Sequence, residues 1–274
     1  MNDELKAILS RSTWTDSSID LLIHEIVEYD MSDGGFSMIQ EHKLLPPDLI
    51  RKLAAMPKGL VRNTAVGKLK YNKTHKGISK ALEEGFRYYR LRFGVENELS
   101  PEDILSVKRD AIFTKRYCFQ LQLGDFVQFK EKNVYQAYLY LELQESGYTK
   151  KKIEFYWAED HKLDVKGIKN DTLEKYHRNY TLDVIWKFMR YLVQFDDKGA
   201  LRYIVSMMEK YKNLELEPGY YREFTDASTY PYSLNGRLLQ VQEVGPSELE
   251  HCLRHYNYMQ IYVQLLNLVS KPIK

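Results

Sequence analysis

Asp110 stands inside the run ILSVKRDAIF, residues 104–113, with apolar residues on both sides and basic ones close by: Lys108 and Arg109 before it, Lys115 and Arg116 after it. A carboxylate set in what reads as a buried strand or hairpin restricts the fold strongly, because a buried charge needs a cation or hydrogen-bond donors around it. A second acid has a similar setting. In residues 21–30, LLIHEIVEYD, Ile23, Glu25, Val27 and Tyr29 alternate with His24, Ile26 and Glu28, which predicts a strand ending at Asp30, and SDGG then turns the chain. Taken singly, Asp110 pairs with Arg109 or Arg116, and Asp30 caps a turn. Converging from different strands, the two acids would form an oxygen donor set for a pair of hard divalent ions.

The rest of the chain predicts an α+β fold. PPDLIRKLAAM reads as a short helix with proline at its start and Asp48 in its first turn. Residues 78–93 carry the stripe Ile78, Leu82, Phe86, Tyr89 and Phe93, with Lys80, Arg87, Arg90 and Arg92 mostly off it, as an amphipathic helix requires. Residues 103–157 are rich in β-branched and aromatic residues and are punctuated by Gly124-Asp125 and Ser146-Gly147, which predicts strands. Helices are expected near 172–194, 199–212 and 246–269, with a Tyr- and Pro-rich loop at 218–236. The organisation is therefore an α+β domain over 1–165 and a helical domain over 166–274.

Composition narrows the function classes. The 274 residues suffice for one large domain or two small ones. No run approaches the ~18 apolar residues of a membrane span. The N-terminus has no secretory core, and Cys118 and Cys252 match no metal-ligand spacing, so the expected location is intracellular, in the cytoplasm. The net charge of +2 hides an asymmetry: from Arg51 to Arg92 there are twelve Lys and Arg against two acids, Glu83 and Glu84. Such a segment is either a solvated helix face or a surface for a polyanion, with Lys68, Lys70, Arg87 and Arg90 as candidate nucleic-acid contacts. The 22 tyrosines suit both half-buried strands and stacking on bases.

Motif order adds a resemblance. Asp30-Met31-Ser32-Asp33-Gly34-Gly35-Phe36-Ser37-Met38-Ile39 is similar to a pattern D-x-x-S-L-Y-P-S-I-I. KGLVRNTAVG, with Asn63 to Gly67 preceded by Lys58 and Arg62, is similar to a basic residue followed by N-S-x-Y-G. Val107 to Phe113 is similar to Y-x-D-T-D-S-[LI]-F, FKEKNVY offers Lys130, Lys132 and Tyr135, and Lys166-Gly167-Ile168 follows. In that order, over residues 21–195, the chain resembles the C-terminal palm-and-thumb half of a family B DNA polymerase, shortened and divergent.

The resemblance implies a polymerase-like palm, an antiparallel sheet with helices, followed by a helical thumb that grips the duplex. It implies that Asp30 and Asp110 are catalytic ligands of two Mg²⁺ (or Mn²⁺) ions, helped by the Met31 carbonyl. It implies that Lys58 or Arg62 neutralises the triphosphate and that Asn63 to Gly67 face the nascent base pair. Lys130, Lys132, Tyr135 and Lys166 would contact primer–template DNA. The sequence departs from the pattern at Lys108, which replaces the first acid of the third motif, at Ala111 and at Gly35, where the family has the tyrosine that selects against ribose. The short gap between the first two motifs reduces the fingers to one short helix, and only twenty residues precede Leu21, too few for a proofreading exonuclease. The implied function is a template-directed nucleotidyltransferase of phage or mobile-element type. The alternative is a non-catalytic nucleic-acid-binding or scaffold subunit of a replication complex that keeps the palm shape and docks on another subunit through the last helix.

Overall fold

The computed structural model describes residues 2–69, 75, 77–144, 150–160, 163–168, 180–213, 215–217, 220, 232–234, 237–239 and 260–270. The chain is mixed α+β, with a seven-stranded antiparallel sheet and eight helices among those residues. It divides into two units: Met1–Asp16 with Glu25–Val134, and Ser17–His24 with Tyr135–Lys274.

In the first unit α1 (Asp3–Ser10) is opened by Asn2, whose side chain accepts from the Glu4 amide. The strands are β1 (Thr13–Thr15), β2 (Leu21–Met31), β3 (Ile104–Lys108), β4 (Ala111–Thr114) and β5 (Phe129–Gln144), ordered β1-β3-β4-β2-β5; β2 and β5 also contribute residues to the second unit. β3 and β4 form the expected hairpin, and Arg109 and Asp110 are its tip. β4 runs antiparallel to β2 with Asp30 opposite Ala111, so the hairpin tip meets the end of β2. Four helices follow β2: α2 (Gly34–Glu41), α3 (Pro47–Ala54), α4 (Leu60–Leu69) and α5 (Ile78–Glu96). The predicted stripe of α5 is buried throughout, and it packs with Tyr29, Ile112 and Phe129 in one core.

Three expectations change here. α2 occupies Gly34–Glu41, where SDGG was expected only to turn the chain, while α3 is the one short helix expected between the first two motifs. Residues 115–128 are not a continuation of β4; their only pairing of strand type among the described residues is the bridge Gln122 to Gln128. Arg90 lies on the buried side of α5, because Leu9 and Arg109 offer it backbone carbonyls there.

In the second unit β5 continues to β6 (Lys150–Trp157) and β7 (Leu163–Lys166), both pairings antiparallel. Ala137, Leu139, Leu141 and Leu143 share one face, as the two-residue period requires, and pack with Ile153, Phe155 and the inner sides of α6 (Thr181–Val193), α7 (Asp197–Lys212) and α8 (Gln260–Ser270). A hairpin of β8 (Tyr232–Leu234) and β9 (Arg237–Leu239) completes the described elements. The change from sheet to helix near residue 165 falls inside this unit. The expected helical stretches at 172–179 and 246–259, Lys70 and Cys252 lie outside the described residues. No helix among the described residues is long and apolar enough to cross a membrane.

Candidate functional site

The first unit brings four distant segments to one place. Asp30 and Met31 end β2, Asp110 tips the β3–β4 hairpin, Asn63 and Gly67 lie on α4, and Lys130 and Lys132 lie on β5. The register explains the first junction: the Met31 amide donates to the Asp110 carbonyl at 3.0 Å. Asp30 and Asp110 border one cavity of about 290 Å³, together with Asn63, Val66, Gly67 and Phe86. A second cavity of about 380 Å³ shares Asp30, Met31, Asp33 and Asn63 with the first and adds Lys58, Lys130 and Lys132. A larger cavity of about 410 Å³, in the second unit beside Tyr140, Glu142 and Lys152, holds none of the expected residues.

The two acids differ in their surroundings. Lys132 Nζ lies 3.3 Å from Asp30 Oδ2 and 3.2 Å from Glu28 Oε1. Burial raises the Asp30 pKa above the ordinary carboxylate value; Lys132 opposes the rise and the Asp110 charge adds to it. Burial alone would lower the Lys132 pKa, but Glu28 and Asp30 outweigh it and the net shift is upward, so the lysine stays charged. Asp110 makes no ion pair within 4 Å among the described residues. Its two expected partners are engaged elsewhere: Arg109 holds Glu83 at 2.9 Å and lies over the Phe86 ring, and Arg116 faces Asp103 and donates to the Asn97 carbonyl. Arg90 lies behind the tip, close enough to feel the Asp110 charge, and burial lowers its pKa to about 10. Arg109 adopts φ 50°, a backbone region uncommon for a residue with a side chain, and its carbonyl accepts from Arg90 while its amide donates to Ser12.

The cleft floor beside Asp30 is the start of α2. Asp33 takes φ 50°, and no side chain caps the helix; the Asp33 carbonyl accepts from the Phe36 and Ser37 amides, which leaves those of Gly34 and Gly35 without a partner in the helix. Ser32 Oγ is buried with no hydrogen-bond partner among the described residues. Gly35 borders the cavity where a side chain has no space, since a Cβ there would come to 2.9 Å from Val66 Cγ1. Phe36, one position on, is buried under the Arg62 guanidinium, so it does not supply the side chain that Gly35 lacks.

Several expected site residues are elsewhere occupied. Arg62 is buried, pairs with Asp33 at 2.6 Å and donates to the Ala54 and Met56 carbonyls; of the two candidate phosphate cations, only Lys58 is exposed in the cleft. Arg90 is 1% exposed, which removes it from any nucleic-acid surface. Tyr135 is 1% exposed and its hydroxyl donates to Asp164, so it has no access to a primer. Lys132 is held by Glu28 and Asp30 and is no free backbone contact. Lys108, at the position of the missing acid, donates to Thr15 Oγ1 at 3.0 Å. Lys68, Arg87 and Lys130 are exposed, and Lys166 is half-buried in the second unit. Gly67 has no atom within 4 Å of where a Cβ would be, so its surface is open. Cys118 is buried and its thiol pKa is pushed up to about 11, which disqualifies it as a nucleophile.

Sequence reasoning missed Ser32, Gly34, Glu28 and Arg109 as parts of the site. The one available signal was SDGG, which read as a turn and is the entry to α2. Among the described residues no group of three or more His, Cys, Asp or Glu forms a metal cluster. A family model described as the bacteriophage PBS1 gene 130 protein matches residues 6–271. No curated protein matches the chain.

Proposed function

The chain belongs to the bacteriophage PBS1 gene 130 protein family, and we propose that it is a nucleotidyltransferase that extends a primer on a template. The observation that carries this reading is the meeting of Asp30, Asn63, Gly67 and Asp110 around one cavity, with Lys58 and Lys130 in the cavity that adjoins it. These are the positions the polymerase resemblance singles out, and the hairpin carrying Asp110 beside the strand ending in Asp30 is the arrangement a palm needs.

The residues present suit a divalent ion. Two half-buried carboxylates border the same space, and Asp110 has no cation within 4 Å among the described residues. Bound there, Mg²⁺ would polarise the α-phosphate and favour ionisation of the attacking 3′-hydroxyl. The remaining work falls to the chain itself. Lys58 and Lys130 offer exposed ammonium groups to the triphosphate, and the start of α2, at Gly34 and Gly35 on the cavity wall, offers backbone hydrogen-bond donors. Asn63 and Gly67 form the wall against which the nucleotide lies, and Gly67 leaves that wall flat. The 3′-oxygen forms the new bond to the α-phosphorus as the bond to the pyrophosphate oxygen breaks, and fixed cations spread around the phosphates stabilise the charge that develops.

The test is Mg²⁺-dependent primer extension by the full chain with Asp30→Asn and Asp110→Asn. Each substitution is expected to reduce extension below detection with circular dichroism unchanged; extension by either folded variant would remove the catalytic reading. One observation favours a second reading. Lys132 already neutralises Asp30, as it would in a palm that binds nucleic acid without catalysis. That reading is identified by oligonucleotide binding that falls steeply with salt and is indifferent to both Asp substitutions.

A further inference from the structure

Glu28 and Asp30 are two residues apart on β2, so their side chains leave the same face of the strand. Glu28 is almost wholly buried, with a side chain 2% exposed, and Asn133 Nδ2 donates to its Oε2 at 2.7 Å. The ammonium of Lys132, arriving from β5, lies 3.2 Å from Glu28 Oε1 and 3.3 Å from Asp30 Oδ2. An ammonium is a compact point charge, the nearest a side chain comes to a cation in solution. Lys132 thus stands where an ion shared by Glu28 and Asp30 would stand. On the other side of Asp30, across the β2–β4 pairing, Asp110 has no cation within 4 Å among the described residues.

We propose that Lys132 is a built-in second cation, so that the site takes one divalent ion, between Asp30 and Asp110, where a two-metal transferase takes two. This rests on the nucleotidyltransferase reading. It assigns Lys132 a positioning role: it fixes Asp30 from one side and, without any metal, offsets the carboxylate charge beside the cavity that holds Lys58 and Lys130. The lysine in the slot also accounts for a site with fewer acids than the polymerase pattern, since an ammonium needs no full shell of oxygen ligands, whereas Mg²⁺ demands near-octahedral coordination.

The experiment counts Mn²⁺ bound to the full chain, from the electron paramagnetic resonance signal of the free ion at constant ionic strength. The wild type is expected to hold one ion, and Asp110→Asn to hold it at least tenfold more weakly. Lys132→Met removes the ammonium from between Glu28 and Asp30 and is expected to raise the count to two, whereas Lys132→Arg keeps it at one. Two ions in the wild type, or two in Lys132→Arg, would overturn the proposal and leave the nucleotidyltransferase reading intact. No ion in the wild type would overturn both. One ion in a folded Lys132→Met variant would also overturn it; should that variant fail to fold, the counts for wild type and Lys132→Arg decide.

Discussion

Arg62 and Lys58 are four positions apart and carry the same charge, yet their surroundings separate them. Arg62 is enclosed by Asp33, two backbone carbonyls and the Phe36 ring, while Lys58 is exposed in the cleft. No rule of spacing distinguishes them, because Asp33 lies 29 positions earlier and reaches Arg62 only once α2 and α4 have packed. Breaking a buried pair leaves the other charge without compensation, so Arg62→Met is expected to cost about 3–5 kcal/mol in urea unfolding. A loss under about 1 kcal/mol would mean that Asp33 finds another partner. The same reasoning applies to Arg90 and Tyr135, where residue type alone suggested a surface and burial places each against a partner inside the fold. Asp30 and Asp110 were legible as acids in apolar surroundings, but that Lys132 would hold Asp30 was not, since it depends on the register of β5.

At the level of elements, period decided what could be read. The stripe of α5 specifies one face, whereas β2 is apolar on both faces and residues 26–29 are all buried; both elements form where expected. α2 went unread because Ser32 to Gly35 carry turn-forming residues, and here they form the entry to a helix rather than a reversal of the chain. The β4 segment was overextended because residues 115–123 remain β-prone in composition, although Asn97 takes up the Phe119 and Gln120 amides in place of a neighbouring strand. Gly167, at the end of β7, shows the strongest local demand. Its φ is 100°, and a Cβ there would lie 2.3 Å from the Lys152 carbonyl oxygen. Gly167→Ala is expected to lose at least the roughly 1–3 kcal/mol that such a backbone costs a residue with a side chain, read as a lower urea midpoint. An unchanged midpoint would show that β6 and β7 separate there at no cost.

Across the whole molecule, the basic excess between Arg51 and Arg92 supplies fewer surface cations than a count suggests, because Arg62 and Arg90 are buried. Arg51, Lys52, Lys58, Lys68, Lys80, Arg87 and, from β5, Lys130 are exposed. If these meet phosphates, Lys58→Ala and Lys130→Ala each lower the slope of log affinity against log salt by about one, while a slope equal to that of the wild type excludes the residue from the interface. The α+β class was legible throughout, whereas the division into two cores, with β2 and β5 supplying both, was not, since no break in composition marks it. A nucleotidyltransferase built this way needs segments far apart in the chain to form one nucleotide site. Binding of a non-hydrolysable nucleoside triphosphate to the full chain in Mg²⁺, by fluorescence anisotropy, tests that most directly. Lys58→Ala and Asp110→Asn, 52 positions apart in the sequence, are each expected to weaken binding about tenfold or more, roughly 1.4 kcal/mol; wild-type affinity in both folded variants would contradict it.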